Sequence, residues 1–277
     1  MPELPEVEFA ATRLREAVAG RVIARIDVLH PSPRRHLPPA ARRAAAGQAI
    51  VRVERRAKIQ LIHLADGAVL EVHFRMTGDW AFSRVGDPPP RFERVRIETT
   101  DGVCVSLVDS RAFGLMRRHA PGALVLPPIG PEPLTDDFTV AAFHTALARR
   151  RGPIKPALLD QKLVAGIGNI YASEALWEAR ISPSAPAHTV SRARVERLRD
   201  AIRLVLERAP AARYYARDGA PADGAPADGA PADGAPADDA WRVYGRDGHG
   251  CHRCAGTVTR LAQAGRSTFY CGRCQRR

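Results

Sequence analysis

The chain closes with Cys251-His252-Arg253-Cys254, sixteen further residues, and Cys271-Gly272-Arg273-Cys274. Two CxxC pairs at that separation match a four-thiolate zinc site on a β-hairpin, which leaves the tail few ways to fold. Cys251, Cys254, Cys271 and Cys274 are thus the expected ligands of one structural zinc ion, with every coordination position filled and none left for a reactive water. Two structural disulfides are the rival reading of the same residues. From Trp241 to Arg277 there are eight Arg against one Asp, and the whole chain carries a formal net charge of +12. Such an excess favours a polyanionic partner, either nucleic acid or an anionic membrane surface.

At 277 residues, one large or two medium domains with real cores are expected. No apolar run approaches the roughly eighteen residues of a membrane span, and the first residues lack a basic-then-apolar leader. The expected setting is therefore the reducing cytoplasm, where cysteines persist as metal ligands. The fifth cysteine, Cys104, lies in a strand-like run and is expected in the core.

Hydrophobic periodicity predicts a helix over residues 3–19, with Val7, Ala11, Leu14 and Val18 on one stripe and Gly20 as its stop. Strand-like segments follow at Val22–Leu29, Ala49–Arg55, Lys58–Leu64, Val69–Phe74, Phe92–Glu98 and Val103–Asp109. Asp66-Gly67 and Asp101-Gly102 supply hairpin turns. The fold class expected is α+β and multidomain. An N-terminal helix with an antiparallel β-sandwich over 1–126 leads through a Pro-rich linker at 127–134 to a helical domain at 135–240. A hairpin at 241–277 ends the chain. Helices are expected at Phe138–Arg150, Pro156–Leu163, Tyr171–Glu178 and Arg192–Arg208, with Thr135-Asp136 and Ser191 as caps of the first and last. Within the helical domain, Gly219–Asp238 repeats Gly-Ala-Pro-Ala-Asp four times. With no aromatic or branched side chain to bury, it is expected to form a flexible loop.

The N-terminus reads Met1-Pro2-Glu3-Leu4-Pro5-Glu6-Val7-Glu8. Removal of Met1 would make Pro2 a secondary α-amine, and α-amines titrate at about pH 8, so a useful fraction is nucleophilic near neutrality. Attack on a sugar carbon would form an iminium, an electron sink. Glu3 and Glu6 stand near enough in sequence to shuttle protons or to orient the amine. The plainer reading makes Pro2 and Pro5 helix starters and the two acids favourable first-turn residues.

Over nearly its whole length the chain closely resembles the bacterial formamidopyrimidine-DNA glycosylase family. The resemblance rests on PELPEVE at 2–8, Lys58, HFRMTG at 73–78, DSRAFG at 109–114 and IGPEPL at 129–134. It continues through LLDQKLVAGIGNIYASEALW at 158–177, VYGRDG at 243–248 and the terminal cysteine block. The resemblance implies a bifunctional glycosylase and lyase acting on double-stranded DNA with oxidised bases or abasic sites, working as a monomer. It makes Pro2 the nucleophile at C1′, with Glu3 assisting ring opening, Glu6 supporting the pocket, and Lys58, placed on an early strand, contacting the lesion or a phosphate. A Schiff base would then permit β- and δ-elimination. Met76, Arg111 and Phe113 would fill the gap left by an everted base. Lys155 and Asn169 of a helix–two-turns–helix motif, with Arg266 on the zinc hairpin, would contact phosphates, and Glu174 would brace that motif from within. The alternatives are an endonuclease VIII-like enzyme for oxidised pyrimidines and a non-catalytic zinc-ribbon DNA-binding protein.

Two stretches depart from the family pattern. The Gly-Gly-Ser/Thr lesion-capping stretch is replaced by Ala209–Tyr215 and the five-residue repeat, so formamidopyrimidines are a safer expectation than 8-oxoguanine. Phe74-Arg75 stands where Leu-Gly is usual, and loss of that glycine is expected to shift the loop that carries Met76.

Overall fold

The computed structural model describes residues 1–209 and 241–276, so the Gly-Ala-Pro-Ala-Asp repeat and most of the lesion-capping stretch lie outside the described residues. The chain divides between Leu126 and Pro127 into two compact units.

The first unit opens with α1 (Leu4–Val18). Its Leu4, Val7, Ala10, Ala11, Leu14 and Val18 are buried, which is the expected stripe widened by small residues. The helix stops at Ala19, and Gly20 turns the chain with φ +77°. Strand β1 (Ile23–Val28) follows, then two short helices, α2 (Pro31–Arg34) and α3 (Pro39–Ala45), each opened by proline at its first turn. The remaining strands are β2 (Ile50–Arg56), β3 (Ile59–Leu64), β4 (Val69–His73), β5 (Gly78–Arg84), β6 (Glu93–Thr99), β7 (Val103–Asp109) and β8 (Leu115–His119). They form two four-stranded antiparallel sheets in the orders β1-β6-β7-β5 and β2-β3-β4-β8. Ile26, Val95, Ile97 and Leu107 of one sheet share a single core with Val53, Ile62, Leu70 and Val72 of the other and with Leu14 of α1. This is the expected sandwich. Cys104 is buried within it.

Three features of this unit differ from the sequence-based expectation. β5 (GDWAFSR) and β8 (LMRRH) are strands that the sequence reading does not contain, since both are short and charged residues break their apolar pattern. The α2 and α3 region is too rich in proline to show helical periodicity. Lys58 is not on a strand: Ala57 and Lys58 form the tight turn between β2 and β3, with Arg56 paired to Ile59 and Ala57 at φ +54°.

Asp79 on β5 is a buried cost. Burial pushes its carboxyl up to about 7, against the opposing pull of the Trp80 N–H at 2.7 Å and of Arg13, 3.8 Å away. The folded-state pKa lies above the unfolded one, so stability declines as pH rises from about 4 to about 7 and then levels. Asp79→Asn keeps the acceptor for Trp80. It is expected to stabilise the protein by about 1–3 kcal/mol at pH 8 and by close to nothing at pH 4, measured by urea unfolding at the two pH values.

The second unit is helical: α4 (Val140–Ala148), α5 (Ile154–Leu158), α6 (Asn169–Glu178), a 3-10 turn at Ala187–Thr189 and α7 (Arg192–Glu207). Thr139, not Thr135-Asp136, caps α4 by accepting from Ala142 N, because the helix starts two residues later than its periodicity implies. Ser191 occupies the N-cap of α7, yet its hydroxyl makes no capping bond. Part of the Pro-rich segment is bonded into this unit. Gly130 N donates to Gln161 O, and Pro133 O accepts from Arg203. A Cβ on Gly130 would lie 2.7 Å from Lys162 O, so only glycine passes there. The chain ends in an antiparallel hairpin, β9 (Val258–Gln263) and β10 (Arg266–Cys271), turned by Ala264 and Gly265, both at positive φ.

Candidate functional site

The N-terminal residues of the first unit form a buried acidic cluster. Pro2 is buried, and Glu3 and Glu6 are 1% and 3% exposed. Glu3 stands at the N-cap of α1, and the Glu6 carboxylate reaches back to accept from its N–H at 2.9 Å. Both acids therefore sit at the positive end of the helix, where ionised carboxylates are favoured. Two further residues tie this helix to the Lys58 turn. Arg55 donates to Glu8 of α1 at 2.6 Å and to Ala57 O at 3.1 Å, bracketing the turn from the helix side. The motif PELPEVE contained Glu8, but nothing in it marked Arg55 as its partner.

Lys58 is 8% exposed and lies close to His73, the end of β4. Burial, then Arg75, then Lys58 press the His73 pKa down to about 4, so the ring is neutral at pH 7. Its Nδ1 accepts from Arg75 N at 2.9 Å, which leaves the remaining proton on Nε2.

Met76, Arg111 and Phe113 lie on two loops that a single carboxylate joins. Asp109 is fully buried. It accepts from the Thr77 hydroxyl, from Arg111 N at 3.1 Å and from Gly114 N at 2.6 Å. Thr77 also accepts from Arg111 N at 3.3 Å. Met76 and Phe113 thus sit on loops held by the same knot. Phe113 is 54% exposed, with the Arg111 guanidinium 4.9 Å from its ring centre, an aromatic–cation pair presented to solvent. Gly78 is obligatory because a Cβ there would lie 2.7 Å from Phe74 O. Arg75 takes up the left-handed conformation itself, at φ +59°, at a cost of about 1 kcal/mol.

In the second unit, α5 and α6 flank the loop ending Gly166-Ile167-Gly168-Asn169, with Gly166 at φ +76°. Gln161 shapes this loop: its side chain donates to Ile167 O at 2.8 Å and accepts from Gly166 N at 2.9 Å. Lys155 stands on α5, just ahead of this loop. It is fully buried, and its ammonium donates to the Asn169 side chain, to Ser267 O at 3.0 Å and to Thr268 Oγ1 at 2.8 Å. Asn169 also donates to Ser267 O. Lys155 is therefore placed to hold Asn169 and the hairpin together, rather than on an exposed surface. Arg266 is exposed, beside the tip of that hairpin.

Glu174 is internal to the unit. It accepts from the backbone N–H groups of Arg242, Val243 and Tyr244 at 2.9, 2.9 and 2.8 Å, anchoring the start of the zinc module to α6. Burial pushes its carboxyl up, and the three N–H groups hold it back. Glu174→Ala would leave two buried donors, Val243 N and Tyr244 N, and the part-buried Arg242 N without their acceptor. It is expected to cost at least about 3 kcal/mol in urea unfolding and to expose residues 241–276 to limited proteolysis, with Glu174→Gln milder.

The sulfurs of Cys251, Cys254, Cys271 and Cys274 all lie within 4.8 Å of one another. Cys251–Cys274 and Cys254–Cys271 are 3.9 and 3.6 Å apart, close to the roughly 3.8 Å edge of a tetrahedron with Zn–S bonds of about 2.3 Å. Gly256 N donates to Cys254 Sγ and the Trp177 indole to Cys251 Sγ, the N–H···S contacts that support thiolate charge. A Cβ on Gly256 would press on two of the sulfurs, at 3.2 and 3.3 Å. Burial raises the Cys274 thiol to about 12, and contacts with Cys254 and Cys251 add to this, so a full set of thiolates forms only around a cation. The residues fit one structural zinc ion.

Residues 1–116 match the formamidopyrimidine-DNA glycosylase N-terminal domain, 129–214 the H2TH domain of the same glycosylase, and 248–277 a zinc finger found in that enzyme and in IleRS. The chain is 40% identical to the formamidopyrimidine-DNA glycosylases of Phenylobacterium zucineum and Sphingopyxis alaskensis, in each case over the full length of both chains. Among solved structures, it is similar to the Lactococcus lactis enzyme bound non-covalently to DNA containing an abasic site. The TM-score there is 0.83 at 29% identity, covering 99% of this chain and all of that one. It is also similar to a MutM structure holding DNA with carbocyclic 8-oxo-G, with a TM-score of 0.84 at 30% identity over the whole of both chains. With three domain matches in order and relatives at this identity over its full length, the chain belongs to the formamidopyrimidine-DNA glycosylase family.

Proposed function

We propose that this protein is a DNA glycosylase that excises oxidised purines, formamidopyrimidines first among them, and then cleaves the abasic strand by β- and δ-elimination. The observation that carries this reading is the buried Pro2-Glu3-Glu6 cluster at the head of α1 in a chain whose relatives bear that enzyme's name throughout their length. With Met1 removed, the Pro2 nitrogen attacks C1′ and displaces the base. Glu3 delivers a proton to the ring oxygen, which opens the sugar to an iminium on Pro2. That cation withdraws electrons from the sugar, so a proton leaves C2′ and the 3′ phosphate departs. A second elimination releases the 5′ phosphate. Glu6, bonded to Glu3 N, keeps the turn in place, and Lys58 supplies a positive charge for the lesion or a phosphate.

Met76, Arg111 and Phe113 fill the space left by the everted nucleotide, while Asn169 and Arg266 hold phosphates. The partner is double-stranded DNA carrying a lesion or an abasic site, bound by a monomer in the cytoplasm. The test is excision from duplexes containing formamidopyrimidine, 8-oxoguanine or dihydrouracil. Preference for formamidopyrimidine supports the reading, and preference for dihydrouracil overturns it.

Asp109 sets the expected cost of loosening the gap-filling loops. Asp109→Ala removes the acceptor shared by Thr77, Arg111 N and Gly114 N. It is expected to weaken binding to abasic-site duplex at least tenfold by fluorescence anisotropy while zinc content is unchanged, with Asp109→Asn recovering part of the loss.

A further inference from the structure

At the cysteine end of the second unit, six arginines converge on one cavity of about 660 Å³: Arg180, Arg194, Arg197, Arg253, Arg273 and Arg276. They come from separate places in the chain. Arg180 follows α6 at φ +55°, Arg194 and Arg197 lie on α7, and Arg276 is in the tail. Arg253 and Arg273 hold the same position in each knuckle, Cys-x-Arg-Cys.

Part of this charge serves the fold. Arg253 stacks 3.8 Å from the Trp177 ring centre, donates to Trp177 O at 2.7 Å and pairs with Glu178 at 3.1 Å. Arg197 donates to Ala179 O at 2.8 Å, so two of the six complement the C-terminus of α6. Arg194 donates to Arg276 O at 2.9 Å, and burial together with Arg197 lowers its pKa. Among the described residues, Glu178 is the one carboxylate in ion-pair contact with any of the six. Cys254 and Cys274 also line the cavity, and a tetrathiolate zinc centre carries a formal charge of −2. Six guanidinium groups still outnumber these negative charges by about three. Holding them together without a counter-ion costs repulsion, which a bound polyanion would remove.

The cavity is separate from the surface that carries Asn169 and Arg266. α6 runs from Asn169 to Glu178, ten residues or about 15 Å. β10 runs from Arg266 to Cys271 over about 17 Å. In both elements the DNA-facing residue is at one end and the arginine cavity at the other. One phosphate cannot reach both.

We propose that this cavity is a second, phosphate-selective anion site, with room and charge for a chain of several phosphates rather than a single ion. The planar, forked guanidinium groups suit bidentate contacts to phosphate oxygens. Two sources supply such a ligand: a free polyphosphate group, or the backbone of a second stretch of nucleic acid.

The test uses the zinc-loaded full chain and the double variant Arg180→Gln/Arg273→Gln, whose side chains make no contact described above. Tripolyphosphate is titrated calorimetrically at two salt concentrations. Binding of a 13-base-pair and a 60-base-pair abasic duplex is measured in parallel. Zinc content and melting temperature are checked for both proteins, and Arg180→Gln alone, outside the knuckles, serves if the double variant loses metal. Salt-sensitive tripolyphosphate binding that weakens at least tenfold in the variant supports the site and identifies a free polyphosphate. Equal affinity for the short duplex, with a loss confined to the long one, supports the site and identifies a second backbone. If wild type and variant bind tripolyphosphate and both duplexes alike, the arginines only neutralise the thiolates and carbonyls around them, and the proposal is overturned.

Discussion

Pro2→Gly is expected to lower base excision by a factor of about 100 or more and to change the yield and position of the borohydride-trapped adduct on abasic-site DNA. The reason is chemical and local. In the proposed mechanism, the secondary amine at residue 2 gives an iminium with no N–H to lose, so the full electron demand stays on the sugar. Glycine offers a primary amine and removes the ring that fixes φ beside Glu3. A variant that retains Met1 is the sharper control, because the same nitrogen is then an amide and no adduct is expected at all. Intact excision by the Met1-retaining protein, confirmed by mass spectrometry, would refute Pro2 as the nucleophile. Glu3 and Glu6 lie 1% and 3% exposed beside it, so a loss in either variant is read together with urea unfolding, which separates chemistry from folding.

Removing zinc is expected to have the second large effect, and it acts on a different part of the molecule. The two strands of the terminal hairpin are six residues each, and a two-stranded hairpin of that size is marginal in water without a staple. Structural zinc contributes on the order of 10 kcal/mol or more to the folding of such modules. Chelation, or Cys271→Ser, is therefore expected to unfold residues 251–276 and to weaken abasic-DNA binding at least 100-fold, because Arg266 then lacks its support. Lys155 gives the failure a second signature. Its ammonium is held by Ser267 O and Thr268 Oγ1, and losing them leaves a fully buried charge with a reduced set of acceptors, which loosens Asn169 as well. The first unit has its own core and is expected to keep its near-ultraviolet circular dichroism after chelation. Retention of full DNA affinity by a protein shown to be zinc-free would refute this account.

What the linear sequence determined was whatever depends on spacing. The CxxC pairs, the apolar stripe of α1, the Asp-Gly turns and the co-linear motif blocks are local patterns, and each carries its physical reason within a few residues. Tertiary structure alone decided which side chains are buried against partners far along the chain. Lys155 read as a phosphate contact through the family resemblance alone, which says nothing of what holds its ammonium. Two of its three acceptors are 112 and 113 residues away, beyond any local pattern. Lys58 read as a strand residue, whereas the register of β2 and β3 makes it part of a turn held by Arg55. Asp109 stood within a quoted motif, but its place at the knot of two loops emerges only when β5 and β7 pair and bring Thr77 beside it. The arginine cavity belongs to the same class. Charges scattered through nearly a hundred residues of sequence become one site only where α6, α7 and the two knuckles meet, because electrostatic energy depends on distance in space and not on order along the chain.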